Sequence, residues 1–201
     1  DRGRDETPVQ KAARLEAAKA PLAKACDEGN RAIACFALSE NYESQKGKVG
    51  SRQKRLEYLG KACRNHYGRA CFELGKEHYD LEDTSQAAAA LDNFKKGCLY
   101  GWGTSCQYVS AILTRQYFSE ELDLTWKEAV KTAYEYAEVG CHRYRNPNSC
   151  AGVGTLLAAD EPNGIERDLE KGLSYLQVAC RRDVRWACQY LLTKGSKDGE
   201  E

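Results

Sequence analysis

The chain has 201 residues, 42% of them hydrophobic and 30% charged, with Lys+Arg and Asp+Glu both at 30 for a formal charge of zero. That composition is far from a disordered chain. It lacks the basic surplus with which a nucleic-acid binder displaces counterions, and no apolar run reaches the roughly 18 residues that a membrane helix requires. Ten cysteines are an even number well above ordinary usage, and none falls in a CxxC or CxxCH spacing. Disulfides are therefore expected in place of a redox motif, a zinc knuckle or a haem attachment, and with them an oxidising compartment.

The chain starts on a polar stretch, Asp1 to Pro8, expected to be flexible over residues 1–7. Methionine is absent even at position 1, so a processed chain whose signal peptide has been removed is expected. No N-x-[ST] sequon occurs.

From there the cysteines come in five couples, eight or nine residues apart: Cys26 and Cys35, Cys63 and Cys71, Cys98 and Cys106, Cys141 and Cys150, Cys180 and Cys188. The couples recur every 35 to 43 residues, the period of a two-element solenoid repeat. A small residue precedes each first cysteine. Four positions earlier stand Leu22, Leu59, Phe94, Ala137 and Leu176, and further apolar residues recur seven and eleven positions back. Spacings of −4, −7 and −11 trace one face of an α-helix, so each first cysteine ends an amphipathic helix, here called B. Three residues after each second cysteine comes Leu38, Leu74, Val109, Val153 or Leu191, which marks a second helix, A. The next position is small in four repeats (Ser39, Gly75, Ser110, Gly154), as a close helix crossing requires.

Eight residues of helix rise about 12 Å, whereas a disulfide needs Cα atoms within about 7 Å. The chain must reverse between the cysteines of a couple, making each a staple across a helix–helix turn. Ten cysteines do not fix their own connectivity, but the repeat symmetry favours pairing within each couple. Ser51, Thr84 and Thr125 are read as N-caps after breaks at Gly47 to Ser51, Leu81 to Thr84 and Ser119 to Thr125, with a last break at Asp160 to Arg167. The array runs over residues 8–195 as one domain, and residues 196–201 form a flexible charged tail.

The A/G-C-x7-8-C junction followed by C-x-x-[LV]-[GS], on alternating helices from about residue 15 to 195, resembles the Sel1-like repeat, a relative of the tetratricopeptide repeat. The disulfide-rich form is similar to the Helicobacter cysteine-rich proteins. The resemblance implies an all-α, α/α superhelical solenoid of about five helix pairs, exported to the periplasm or secreted, with a groove for a protein or peptide partner. It implies an adaptor, or an immunity protein that neutralises a secreted toxin, although a few similar proteins are of the penicillin-binding or weak β-lactamase type; no cofactor and, for want of a catalytic motif, no catalysis are expected. It places the A helices on the binding surface. The side chains off their buried stripe include Glu73, Lys76, Tyr108, Arg115 and Tyr190, which read either as partner contacts or as a solvated face. The long third unit adds Tyr100, Trp102, Tyr117, Phe118 and Trp126, and the turn beyond it carries Tyr144 and Arg145; these aromatics either anchor a partner or fill gaps between helices.

A weak hydrolase of the β-lactamase or penicillin-binding type is the alternative. Ser51-Arg52-Gln53-Lys54 spells S-x-x-K and Ser39-Glu40-Asn41 spells S-x-N, but K-T-G is missing, and Ser51 reads better as a cap. His66, His78 and His142 are scattered and form no site. Metal binding by the cysteines would leave each couple two ligands short of a structural zinc site.

Overall fold

A computed structural model of the chain describes residues 7–43, 50–79, 84–115, 122–159 and 164–195. All regular structure among them is helical. Among the described residues ten α-helices follow in chain order: α1 Pro8–Asp27, α2 Ala32–Glu43, α3 Ser51–Arg64, α4 Gly68–His78, α5 Ala87–Leu99, α6 Gly103–Leu113, α7 Trp126–Glu138, α8 Pro147–Ala158, α9 Leu169–Cys180 and α10 Arg185–Gly195. Odd-numbered helices are the expected B helices and even-numbered ones the A helices. The chain divides into two compact units, Asp1–Leu74 and Gly75–Glu201. Residues 1–6 and 196–201, expected as flexible ends, lie outside the described residues, as do Tyr117 and Phe118.

Each B–A hairpin is closed by a disulfide within its own couple: Cys26–Cys35, Cys63–Cys71, Cys98–Cys106, Cys141–Cys150 and Cys180–Cys188, with Cα atoms 4.6 to 4.8 Å apart. The backbone of the five turns is equally regular. The residue five places before the second cysteine is left-handed every time: Asn30, His66, Gly101, Arg145 and Asp183. The next residue donates its N–H back to the carbonyl of the small residue preceding the first cysteine. These bonds run from Arg31 to Ala25 (3.2 Å), Tyr67 to Ala62 (3.0 Å), Trp102 to Gly97 (2.9 Å), Asn146 to Gly140 (2.9 Å) and Val184 to Ala179 (3.2 Å). They satisfy carbonyls that a helix end leaves without partners. Two couples have one residue more between their cysteines than the others. In the fourth, that residue is absorbed by a π-helical turn, Val139–Arg143, continuing α7.

The −4 column is the core of the array: Leu59, Phe94, Ala137 and Leu176 have no measurable exposure. On the A helices, Val109 and Val153 have none and Leu38 is 1% exposed. The small residues at the next position do what their size suggested. A Cβ on Gly75 would stand 2.6 Å from the Phe94 ring, and one on Gly154 would stand 2.8 Å from the Gly172 carbonyl oxygen. Ser39 is fully buried and donates its hydroxyl to the Phe36 carbonyl.

Of the three expected N-caps, Thr125 holds. Its hydroxyl accepts from the Glu128 N–H, and the Glu128 carboxylate accepts from the Thr125 N–H in return. Thr7 builds the same box with Gln10. Ser51 does not cap. It is the first helical residue of α3, behind Gly50, whose φ of 78° suits only glycine well. Thr84 instead opens a 3-10 turn, Thr84–Gln86, and Gln86 precedes α5.

Candidate functional site

In the second unit, three A helices line one groove. The first turns of α8 and α10 are held together where the Trp186 indole N–H meets the Asn148 side-chain oxygen at 3.4 Å. Between α6, α8 and Trp186 lies a cavity of about 350 Å³, lined by Gln107, Ala111 and Thr114 from α6 and by Asn148, Gly152, Thr155 and Leu156 from α8. The groove exists because of what the A helices carry at equivalent positions. Two residues past the second cysteine, other repeats place Tyr108 or Tyr190, whereas α8 has Gly152. A Cβ there would meet the Ala137 methyl and the Ser110 hydroxyl only at 3.7 Å, an ordinary contact, so glycine at this place leaves open space.

No charged side chain lines the cavity, although 30% of the chain is charged. Its polar groups are the amides of Gln107 and Asn148, the hydroxyls of Ser110, Thr114, Ser149 and Thr155, and the Trp186 indole N–H. Thr114 and Thr155 spend a donor on carbonyls of their own helices, at 3.0 Å each, which leaves their lone pairs to a ligand. Trp186 is 42% exposed and presents a large apolar face at the rim. Sequence reasoning missed Gln107, Asn148 and Trp186. The position two before the second cysteine supplies both Asn148 and Trp186, so a column comparison across the repeats would have found them.

The other sequence-selected side chains are not brought together there. In the first unit, the Arg55 guanidinium binds the Glu43 carboxylate at 2.7 Å and the Glu73 carboxylate at 3.5 Å, so Glu73 serves an ion pair. Lys76 and Arg115 are exposed. In the second unit, Tyr108 packs its ring 4.9 Å from Phe94 and 5.8 Å from Tyr79, centre to centre. Tyr190 packs against the buried cluster of Ala151, Leu176 and Ala187. The Tyr144 ring lies over Gly103, and its hydroxyl donates to the Cys98 carbonyl at 2.9 Å. Arg145 is exposed beside it in the left-handed conformation. Trp102 is half-buried at the start of α6, whereas Trp126 is 39% exposed at the start of α7.

The S-x-x-K spelling does not make a nucleophile and base. Ser51 is 8% exposed in the first turn of α3, and the exposed Lys54 turns its ammonium to the Tyr42 ring, 5.6 Å from the centroid. Among the histidines, His142 shares a 2.9 Å hydrogen bond with the Tyr175 hydroxyl. His78 bonds to Gln86 and His66 occupies a left-handed turn position. All ten cysteine sulfurs are in disulfides, so none is a thiolate ligand. No helix of the described residues is long and apolar enough to cross a membrane.

No protein-family model matches the chain, and no curated protein matches it either. Among solved structures it is similar to a Sel1 repeat protein from Oxalobacter formigenes, with a TM-score of 0.61 and 16% identity over 93% of this chain and 78% of that one. The fold is that of a Sel1 repeat protein. At that identity the likeness is one of backbone architecture, and the groove side chains are this chain's own. Within the Sel1 fold the cavity sits on the even-numbered helices.

Proposed function

We propose that the chain is an extracytoplasmic repeat scaffold that binds a polypeptide, the groove of α6, α8 and α10 being where the partner lies. One observation carries the reading: three consecutive A helices jointly line an uncharged cavity of about 350 Å³ rimmed by an exposed tryptophan. Amide and hydroxyl side chains in such a groove match the donors and acceptors of an extended backbone, and tryptophan is the residue type most enriched where partners anchor. Five disulfides favour an oxidising compartment, the periplasm or the outside of the cell. The Sel1 fold supports a scaffold over a catalyst, and an adaptor or an immunity protein that caps a secreted effector is the form of scaffold we favour.

The test is a photo-crosslinking side chain installed at Thr155 in the groove, and separately at Gln177, exposed on α9, followed by incubation with the extracytoplasmic fraction of the source cells. One discrete polypeptide adduct from position 155, absent from position 177 and lost when Trp186→Ala is added, is expected. Identical adducts from both positions, or none from either, would remove the groove from the mechanism. In parallel, turnover of a chromogenic β-lactam that disappears in Ser51→Ala would overturn the non-catalytic reading.

A further inference from the structure

The second unit carries another surface, on the hairpin turns next to the groove rim, that neither the fold nor the proposed scaffold role accounts for. The turns of the fourth and fifth hairpins, residues 142–146 and 181–185, are tied to each other. The Arg182 guanidinium donates to the Arg145 carbonyl at 3.3 Å, and Tyr175, on the helix before the second turn, bonds His142 in the first. Five arginines lie on these two turns or at their ends: Arg143, Arg145, Arg181, Arg182 and Arg185. All five are exposed, and among the described residues none forms a salt bridge. Asp183 is the single acid among the same ten residues. In a chain whose charges cancel overall, this is a strongly one-signed edge.

A second feature adjoins it. The π-helical turn and the end of α5 form a cavity of about 290 Å³, lined by Leu99, Tyr136, Val139, Tyr144, Arg143 and Glu135. Leu99 is 70% exposed and Val139 40% exposed, so apolar surface faces water at the mouth of a pocket. The Arg143 guanidinium lies 5.6 Å from the centroid of the Tyr144 ring, whose face neighbours the pocket. The extra residue of the fourth hairpin shapes this place, because it is the π turn that sets Val139 and Arg143 on the pocket wall.

We propose that this edge docks an acidic segment of a partner protein, with an apolar side chain in the Leu99–Val139–Tyr136 pocket and carboxylates on Arg143, Arg145 and Arg182. The chemistry points to a protein over other polyanions. Arginine forks match carboxylates in two-point geometry, and a pocket for an apolar side chain beside them suits a peptide, which carries both groups on one chain. Arginine and tyrosine are also the residues that concentrate binding energy at protein interfaces. Glu135, one helical turn before Val139 in the pocket lining, sets the direction, since a carboxylate seated beside it would meet like charge.

The test uses fluorescence anisotropy with three labelled twelve-residue probes: one alternating Leu with Asp/Glu, the same with Lys for each acid, and one of Gly and Glu alone. Salt-sensitive binding of the first, weaker binding of the third and none of the second is expected. The triple variant Arg143→Gln/Arg145→Asn/Arg182→Gln should weaken the first probe by roughly tenfold or more, the share that a few close charge pairs carry. Asparagine is chosen at position 145 because it tolerates the left-handed backbone there. Val139→Ser should bring the first probe down to the affinity of the third. Unchanged thermal melting of these variants assigns the losses to the surface. Equal affinity for the first and third probes, or an unchanged affinity in the triple variant, overturns the proposal. So does binding of phosphatidylglycerol vesicles that the triple variant abolishes while the peptides fail to bind, since the edge would then serve a membrane.

Discussion

Two glycines show how tightly the array is set at single positions. Gly154 on α8 and Gly172 on α9 face one another: a Cβ on either would stand 2.8 Å from the other's carbonyl oxygen, and backbone cannot swing aside as a side chain does. Gly154→Ala should therefore destabilise the protein by about 1–3 kcal/mol, the ordinary cost of overpacking, although alanine is the better helix former. Gly152→Ala, two residues away with 3.7 Å of clearance, should be neutral or stabilising by up to about 1 kcal/mol. Urea denaturation of the pair checks both, and equal effects would mean that the α8–α9 crossing is looser than its geometry. Ionisation at Tyr134 offers another residue-scale test. Burial, and then the hydrogen bond to Glu138, push its phenol up to about 12. A raised folded value means that the neutral form is stabilised by folding. That contribution is complete below the unfolded tyrosine value near 10 and is lost as pH climbs through the folded value. Tyr134→Phe should flatten the alkaline decline of stability and remove a late-titrating component from the phenolate absorbance, while burial at Tyr58 and Tyr136 leaves theirs raised.

At the scale of the element, the five turns are one motif written in five different residues. Asn30, His66, Gly101, Arg145 and Asp183 share a left-handed backbone, which costs an ordinary L-residue roughly 1–2 kcal/mol. Arg145→Gly should then raise stability by about 1 kcal/mol and Gly101→Ala lower it by a similar amount, both read from denaturant midpoints. Opposite signs at these two sites are the check; equal signs would mean that the turn backbone adapts to its residue. This motif also marks where sequence reading stops. The cysteine couples and the −4, +3 and +4 columns were legible because burial and bond geometry accept only a few residue types there. The left-handed column was not, because its requirement falls on the backbone and is met by five unlike side chains. The Gly172 that faces Gly154 was legible but passed over: it stands eight positions before a first cysteine, where other repeats have Ala18, Ala90 and Ala133. Arg55 breaks that column and is 6% exposed, held by Glu43. Ser51 was misread as a cap because the glycine before it satisfies the same helix start without a side chain.

For the molecule as a whole, what matters is that every covalent staple is local. Each closes a loop of about nine residues, worth about 2.5 kcal/mol if it acts by restricting the unfolded chain. Five such terms are of the same order as the 5–15 kcal/mol that separates a folded protein of this size from its unfolded state. The helix hairpins bury mostly alanine, valine and leucine, with Phe94 the largest side chain fully enclosed. Reduction under native conditions should accordingly cost most of the helical circular dichroism, and reoxidation should restore it quickly, because each correct bridge joins neighbours whose contacts form early. The effect should also be local in the sense of a repeat array. Cys180→Ala/Cys188→Ala should speed amide exchange in α9 and α10 far more than in α1 to α3, since a repeat is stabilised by itself and its neighbours. Uniform acceleration along the chain would mean that the array unfolds as one cooperative block, and full helicity under reductant would mean that packing alone holds the hairpins. The second result would also weaken the case for an oxidising compartment, which rests on these sulfurs.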